Sequence, residues 1–412
     1  MAKVARLLCI SNGHGEDAIA LRILSELRSH HPQIELAALP LVGEGVAFQK
    51  HQIPLIAATK TLPSGGFIYM DSRQLARDVQ GGLVQLTLAQ LQALKRWAQD
   101  DGIVLAVGDV VPAAFAWWSG LPYAVVGTAK SAYYLRDEQG LLPGLPWYAG
   151  WAGLSRYLPW ERWLMSRDRC RAVIVRDELT RSELQQLGLS QVFAGNPMMD
   201  GLTSTEQSVA LKPKAADTLT VVLLPGSRAP EAYANWQILL QSMDSVLTRW
   251  APRPVQFLSA IAPALDLTAL QQALRQAGWH AELPDAANHF AKGKGQVILT
   301  QTAFADCLHL ADAAIAMAGT ATEQFVGLGK PAFITPGAGP QFTPTFAKLQ
   351  TRLLGPSVIL VERAADVGAA MADVLADSDR LAQIRQNGRQ RMGSSGAAAA
   401  ISRYLTTTLL QT

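Results

Sequence analysis

The sequence predicts an α/β protein built from two Rossmann-like, doubly wound parallel-sheet domains. Three observations carry that expectation. Short apolar, β-rich runs alternate with helix-periodic stretches almost from end to end, the pattern of parallel strands joined by crossover helices. The chain has 412 residues, enough for two domains that each bury a core. A polar stretch at 196–218, NPMMDGLTSTEQSVALKPKAADT, contains two prolines and no hydrophobic period, as a boundary would. The expected organisation is therefore one domain over 1–200, a second over 201–392, and a C-terminal helix over 393–412 that either packs back on the first domain or swaps between subunits. Open α/β sheets bind ligands at the carboxyl ends of their strands, so two such domains would face each other across a cleft.

Taken in order, strands are expected at 4–10, 35–39, 103–107, 123–127 and 172–175, then at 219–224, 255–259, 297–300, 313–317 and 358–361. Helical patterns fill 16–29, 72–99, 178–187, 231–249, 266–277, 303–310 and 363–390. The N-terminal run MAKVARLLCI turns into Gly, His and acidic residues, so it reads as a first strand and not as a signal peptide. The most apolar stretch, Ile103 to Gly127, has Asp109 as its only charge. Gly108, Pro112, Gly120 and Pro122 cut it into strand, short helix and strand, which is a buried βαβ core rather than a membrane span.

Composition excludes several classes. With 36 Lys+Arg against 33 Asp+Glu, the net charge of +3 is too balanced for a protein that tracks phosphates along nucleic acid. A chain that is 49% hydrophobic and 17% charged is not disordered. Cys9, Cys170 and Cys307 are far apart and fit a reducing compartment better than a disulfide framework or a zinc site.

Chemistry concentrates in glycine-rich turns between a strand and a helix. The first is Ser11-Asn12-Gly13-His14-Gly15-Glu16-Asp17. Gly13 and Gly15 let a ligand approach the backbone, and His14, Glu16 and Asp17 supply titratable groups at a strand's carboxyl end. The second is Leu224-Pro225-Gly226-Ser227-Arg228, where Gly226, Ser227, Arg228 and the following helix amides would cradle a diphosphate. The third is Ala318-Gly319-Thr320-Ala321-Thr322-Glu323. Here Gly319 and Thr320 would meet phosphate and Glu323 a ribose, with a Thr320/Glu323 capping box as the competing explanation. Gln341, beyond another Gly/Pro-rich turn, would face the same ligand.

Together Gly195-Asn196-Pro197-Met198-Met199-Asp200, Leu224 to Arg228 with Glu231, and Ala318 to Glu323 resemble the lipid-A-disaccharide synthase family of GT-B glycosyltransferases, over roughly residues 4–390. In that family the corresponding segments read G-[HN]-P-x-x-D, LPGSR-x-x-E and SGTAT-x-E. The departures mark a divergent member: SNGHGED stands where the family reads like GEASGD, and Val107 to Pro112 keeps the first Asp of a G-I-D-x-P-D-F segment while losing the second.

The resemblance implies inverting transfer of a sugar from a nucleotide sugar, most simply UDP-linked, to a lipid or lipid-linked acceptor at a membrane surface. The attacking hydroxyl needs a general base. Asp109, at the end of an apolar strand where desolvation would strengthen a carboxylate base, falls on the family's base position, with a cap on the short helix 112–119 as the competing reading. His14 is the second candidate, with Glu16 and Asp17 orienting it or the acceptor. Arg228, Ser227 and the Gly319–Thr320 amides would carry the leaving-group charge. The one DxD, Asp377-Ser378-Asp379, reads as a helix break with a new N-cap, so neither a metal nor a resident cofactor is expected. Two other readings stay open, a soluble UDP-sugar enzyme of the 2-epimerase kind and a non-catalytic nucleotide-sugar-binding protein.

The stretch 141–167 crowds Trp147, Tyr148, Trp151, Tyr157, Trp160 and Trp163 among Arg156, Arg162 and Arg167. Such rings suit a headgroup-level surface, with packing under a long loop as the alternative. Trp147, Trp151, Trp160 and Trp163 are the candidate membrane contacts of a cytoplasmic protein held peripherally at the inner face of a membrane. A homodimer is compatible with the sequence.

Overall fold

In the computed structural model the described residues are 5–13, 15–57, 59, 82–127, 129–145, 154–205, 209, 211–213, 215–282, 288–337, 339 and 342–410. The chain forms two compact units, Met1–Asp200 with Ser395–Thr412, and Gly201–Ser394.

The strands of the first unit are β1 (Arg6–Ser11), β2 (Glu35–Pro40), β3 (Ile103–Val107), β4 (Tyr123–Gly127), a small antiparallel pair β5 (Arg136–Asp137) and β6 (Gly140–Leu141), β7 (Cys170–Val175) and β8 (Val192–Ala194). Its main sheet is parallel throughout, in the order β2-β1-β3-β4-β7-β8. The helices between them are α1 (Gly15–His30), α2 (Val46–Lys50), α3 (Leu83–Trp97), α4 (Val110–Trp118), α5 (Pro159–Met165) and α6 (Glu178–Gln186). Side chains alternate across the sheet. Leu8, Ile10, Val104, Ala106, Val125 and Val173 enter one apolar cluster, whereas Leu7, Cys9, Leu105, Val107, Ala124 and Ile174 enter another. A strand buried on both faces has no polar side, which is why IVLAV and YAVVG carry no charge.

The second unit contains β9 (Leu219–Leu224), β10 (Val255–Ala260), β11 (His280–Ala281), β12 (His289–Lys292), β13 (Gly295–Thr300), β14 (Ala313–Ala316), β15 (Ala332–Ile334) and β16 (Val358–Leu360). Their order is β11-β12-β13-β10-β9-β14-β15-β16, parallel apart from β11 and β12 at one edge. The helices are α7 (Glu231–Trp250), α8 (Leu267–Gln276), α9 (Phe304–Leu310), α10 (Thr320–Gly327), α11 (Pro344–Leu354), α12 (Val367–Ala376) and α13 (Ser378–Met392). The helical stretch expected over 363–390 breaks at Asp377, where the sequence places a new N-cap. The Asp377 carboxylate accepts from the Arg380 amide at 2.9 Å and starts α13 afresh, so Asp377-Ser378-Asp379 is a cap.

The chain then returns to the first unit as α14 (Ala397–Leu405), which ends in a π-helical turn over Thr406–Leu410. Ala398, Ile401, Leu405 and Leu409 cover the β1–β3–β4 face that contains Leu7 and Leu105. Asp200 holds its start, accepting hydrogen bonds from the amides of Gly396, Ala397 (3.2 Å) and Ala398 (2.6 Å). Short strands at 192–194 and 332–334 and the β11–β12 edge have no counterpart in the sequence reading, because two to four residues leave no readable period. Of the expected helix 72–99 the described part is α3, whose Leu94 is core while Leu83, Leu86 and Leu91 pack against it. No helix among the described residues is long and apolar enough to cross a membrane.

Candidate active site

In each unit the strand order reverses beside the first strand, between β1 and β3 in one and between β9 and β14 in the other. The loops leaving those strands form the natural ligand rim.

In the first unit the rim is made by close backbone approach. Gly13 has φ +97°, and a Cβ there would lie 2.4 Å from the Val42 carbonyl oxygen, so only glycine fits. Gly15, by contrast, faces open space. At Gly108 (φ +134°) a Cβ would meet the Asn12 side chain at 2.9 Å, which seats the β1 loop on the β3 loop and sets Asn12 next to Asp109 in space. Asn12 itself is half-buried.

Asp17 and Asp109 are both held at helix starts. Asp17 is buried, and its Oδ1 accepts from the Ser11 hydroxyl at 2.5 Å. It therefore braces the start of α1. Burial, with the Asp17 charge adding to it, pushes the neighbouring Cys9 thiol far up. Asp109 is half-buried; it is the N-cap of α4, and its Oδ1 accepts from the Val111 amide at 2.9 Å. Glu16 is half-buried, and its amide bonds the Gly13 carbonyl at 3.2 Å. His14 lies outside the described residues.

In the second unit the rim is held by side chains. Pro225 and Gly226 (φ +100°) follow β9, with Ser227 exposed and Arg228 half-buried. Asn235, buried on α7, donates from Nδ2 to the Pro225 carbonyl (3.0 Å) and the Met317 carbonyl (3.4 Å), tying the β9 loop to the β14 loop. One turn earlier on the same face, Glu231 Oε1 accepts from the Phe342 amide at 2.6 Å. Gln350, buried on α11, donates from Nε2 to the Ala318 carbonyl (3.0 Å) and the Gly319 carbonyl (3.4 Å). The capping-box alternative at Thr320 is not what the chain adopts. Gly319 is the N-cap of α10 without a side-chain bond, and it is Thr322 whose hydroxyl reaches back to Ala318, at 2.6 Å. Thr320 is left exposed and Glu323 half-buried at this rim. Gln341 lies outside the described residues. Asn235 and Gln350 were missed because a single amide on an amphipathic helix reads as its solvent side.

The aromatic stretch divides. Tyr157 is core, its hydroxyl donating to the Gly127 carbonyl at 3.2 Å, and burial pushes its phenol far up. Trp160 (56% exposed) and Trp163 (44%) lie at the surface, joined by Trp118 (52%) and Leu158. Trp163 packs edge-on against Trp117 at 5.4 Å, with the Arg167 guanidinium 4.5 Å above it, and Lys95 lies 5.7 Å over Trp118. Trp147 and Trp151 lie outside the described residues. Among the described residues no cluster of three or more His, Cys, Asp or Glu could hold a metal ion.

No family model matches the chain. A lipid-A-disaccharide synthase of Syntrophus aciditrophicus (strain SB) is 29% identical over 153 residues, which span 36% of this chain and 36% of that protein. Among solved structures, CalG4, the calicheamicin glycosyltransferase, superposes with a TM-score of 0.61 at 16% identity, covering 99% of this chain and all of the other. The UDP-GlcNAc 2-epimerase of Neisseria meningitidis bound to UDP-GlcNAc gives 0.54 at 12% identity, covering 99% and 100%. These two likenesses are of fold, and the fold is that of two Rossmann-like domains shared by GT-B glycosyltransferases and epimerases. The LPGSR and AGTATE rims lie on that fold, and over the matched 153 residues the chain is similar to a lipid-A-disaccharide synthase.

Proposed function

We propose that the protein is an inverting glycosyltransferase that moves a sugar from a UDP-sugar to a lipid or lipid-linked acceptor. The observation that carries this reading is the convergence of Gly226–Arg228 and Gly319–Glu323 at one switch point of the second unit's sheet. An acceptor hydroxyl attacks the anomeric carbon, the bond from that carbon to the diphosphate breaks, and the diphosphate leaves with the electron pair. Arg228, Ser227 and the amides at the start of α10 offset the charge that grows on it. The hydroxyl proton passes to a base. Asp109 is the first candidate, since the bond to Val111 engages Oδ1 and leaves Oδ2 to take a proton. His14 is the second.

The lipid character of the acceptor draws support from the exposed Trp118, Trp160, Trp163 and Leu158 beside Lys95 and Arg167, rings and cations suited to a headgroup layer. A soluble 2-epimerase is the second reading, favoured by the fold shared with the Neisseria enzyme.

A thermal-shift panel of nucleotides and nucleotide sugars tests the donor. UDP and UDP-sugars should raise Tm, and no shift with any of them would sink the enzyme reading. Turnover of UDP-GlcNAc without acceptor would favour the epimerase. For the membrane surface, cosedimentation with anionic vesicles should weaken when Trp118, Trp160 and Trp163 are together changed to Ser.

A further inference from the structure

Asn235 and Gln350 each grip carbonyl oxygens of the loops that the donor reading assigns to the nucleotide sugar. In a planar trans peptide the N–H points opposite to the C=O. Fixing the carbonyls of Pro225 and Met317 on Asn235 therefore turns the amides of Gly226 and Ala318 away from α7. Fixing the carbonyls of Ala318 and Gly319 on Gln350 likewise turns the amides of Gly319 and Thr320 away from α11. Among the described residues, the amides of Gly226, Ala318 and Gly319 donate to no protein acceptor. The local shape leaves little freedom to do this otherwise. A Cβ on Gly226 would come 3.3 Å from the Met317 carbonyl oxygen, and one on Gly337 would come 3.0 Å from Asn235 Oδ1.

We propose that Asn235 and Gln350 are positioning residues that aim the amides of Gly226, Ala318, Gly319 and Thr320 as one anion-binding nest for the diphosphate of the nucleotide sugar. The proposal rests on the donor reading above. Two side chains on two different helices set the directions of four peptide groups from two loops. The nest is thus organised before any ligand arrives, and its amides offset leaving-group charge without reorganising.

Affinities for UDP and for uridine, measured by calorimetry on the full chain, separate this role from simple support of the fold. Asn235→Ala and Gln350→Met should each lower UDP affinity about tenfold or more, since bonds to a charged acceptor are the strong ones. Uridine, which has no phosphate, should bind each variant as it binds the parent. Equal losses for both ligands, or an unchanged UDP-to-uridine ratio in either folded variant, would overturn the positioning role. A parent protein that binds no UDP would instead remove the donor reading and this proposal with it. The two substitutions sit on separate helices, so failure of one to fold leaves the other decisive.

Discussion

The two sheet rims are built by opposite means. In the first unit, loops lock by backbone approach: Gly13 against Val42, Gly108 against Asn12, with one buried side-chain pair, Ser11 and Asp17. In the second, amide and carboxylate side chains reach up from helices and hold loop backbone: Asn235, Glu231 and Gln350. The contrast matches what each rim is proposed to bind. A diphosphate has fixed, dense charge and rewards an array of amides set in advance. A rim of close-packed glycines leaves bare backbone instead, with side chains such as Asn12 and Asp109 displayed at its edge.

Asp109→Asn breaks the contrast most sharply if its premise is wrong. Asparagine caps a helix about as well as aspartate, so stability should stay within a few tenths of a kcal/mol. As a base it is useless, so turnover should fall by about 10² to 10⁴. Retained turnover in a stable Asp109→Asn protein would move the base to His14.

Next come the glycines. Gly13→Ala forces a positive φ on an L side chain and drives its Cβ against Val42. It should cost roughly 2 kcal/mol or more in chemical denaturation. Gly15→Ala, two residues on and at the start of α1, should change stability by no more than about 0.5 kcal/mol. Equal effects would mean that the first rim is not locked by close approach.

A pH-dependent effect belongs to Lys330, which again shows the second unit holding carbonyls with side chains. Its Nζ donates to the carbonyls of Leu308 (3.0 Å), His309 (2.6 Å) and Ala311 (2.6 Å). Burial lowers its pKa from 10.5 to about 8, against the opposing pull of Asp312. Between about pH 8 and 10.5 the unfolded chain therefore binds more protons than the folded one, and stability should rise with pH across that window. The slope from this group is at most about 1.4 kcal/mol per pH unit. Lys330→Met should flatten it in denaturation series at matched salt.

How much of this was legible in the sequence follows the same division. Alternating runs such as IVLAV and LTVVLL announce buried parallel strands, and LPGSR and AGTATE sit at their ends as sequence patterns. What supports those loops was not legible, because the buried amides of Asn235 and Gln350 lie in helices whose periodicity makes polar residues read as solvent-facing. The burial of Asp17 was not legible for a related reason. An acid in the first turn of a helix suits the dipole whether exposed or buried, and only the fold brings Ser11 against it. Trp118 was hidden in FAWW, part of an apolar run read as core throughout.

The hold of Asp200 on α14 bears on how the protein is made. The returning helix α14, which follows the whole second unit in the chain, covers the apolar face of the first unit's sheet, where Ala398, Ile401 and Leu405 sit. The first 200 residues are therefore synthesised long before their own lid, and they wait while the entire second unit is translated. A chain cut before Ser395 would carry that face bare, so the returning helix is a piece of the first unit's core.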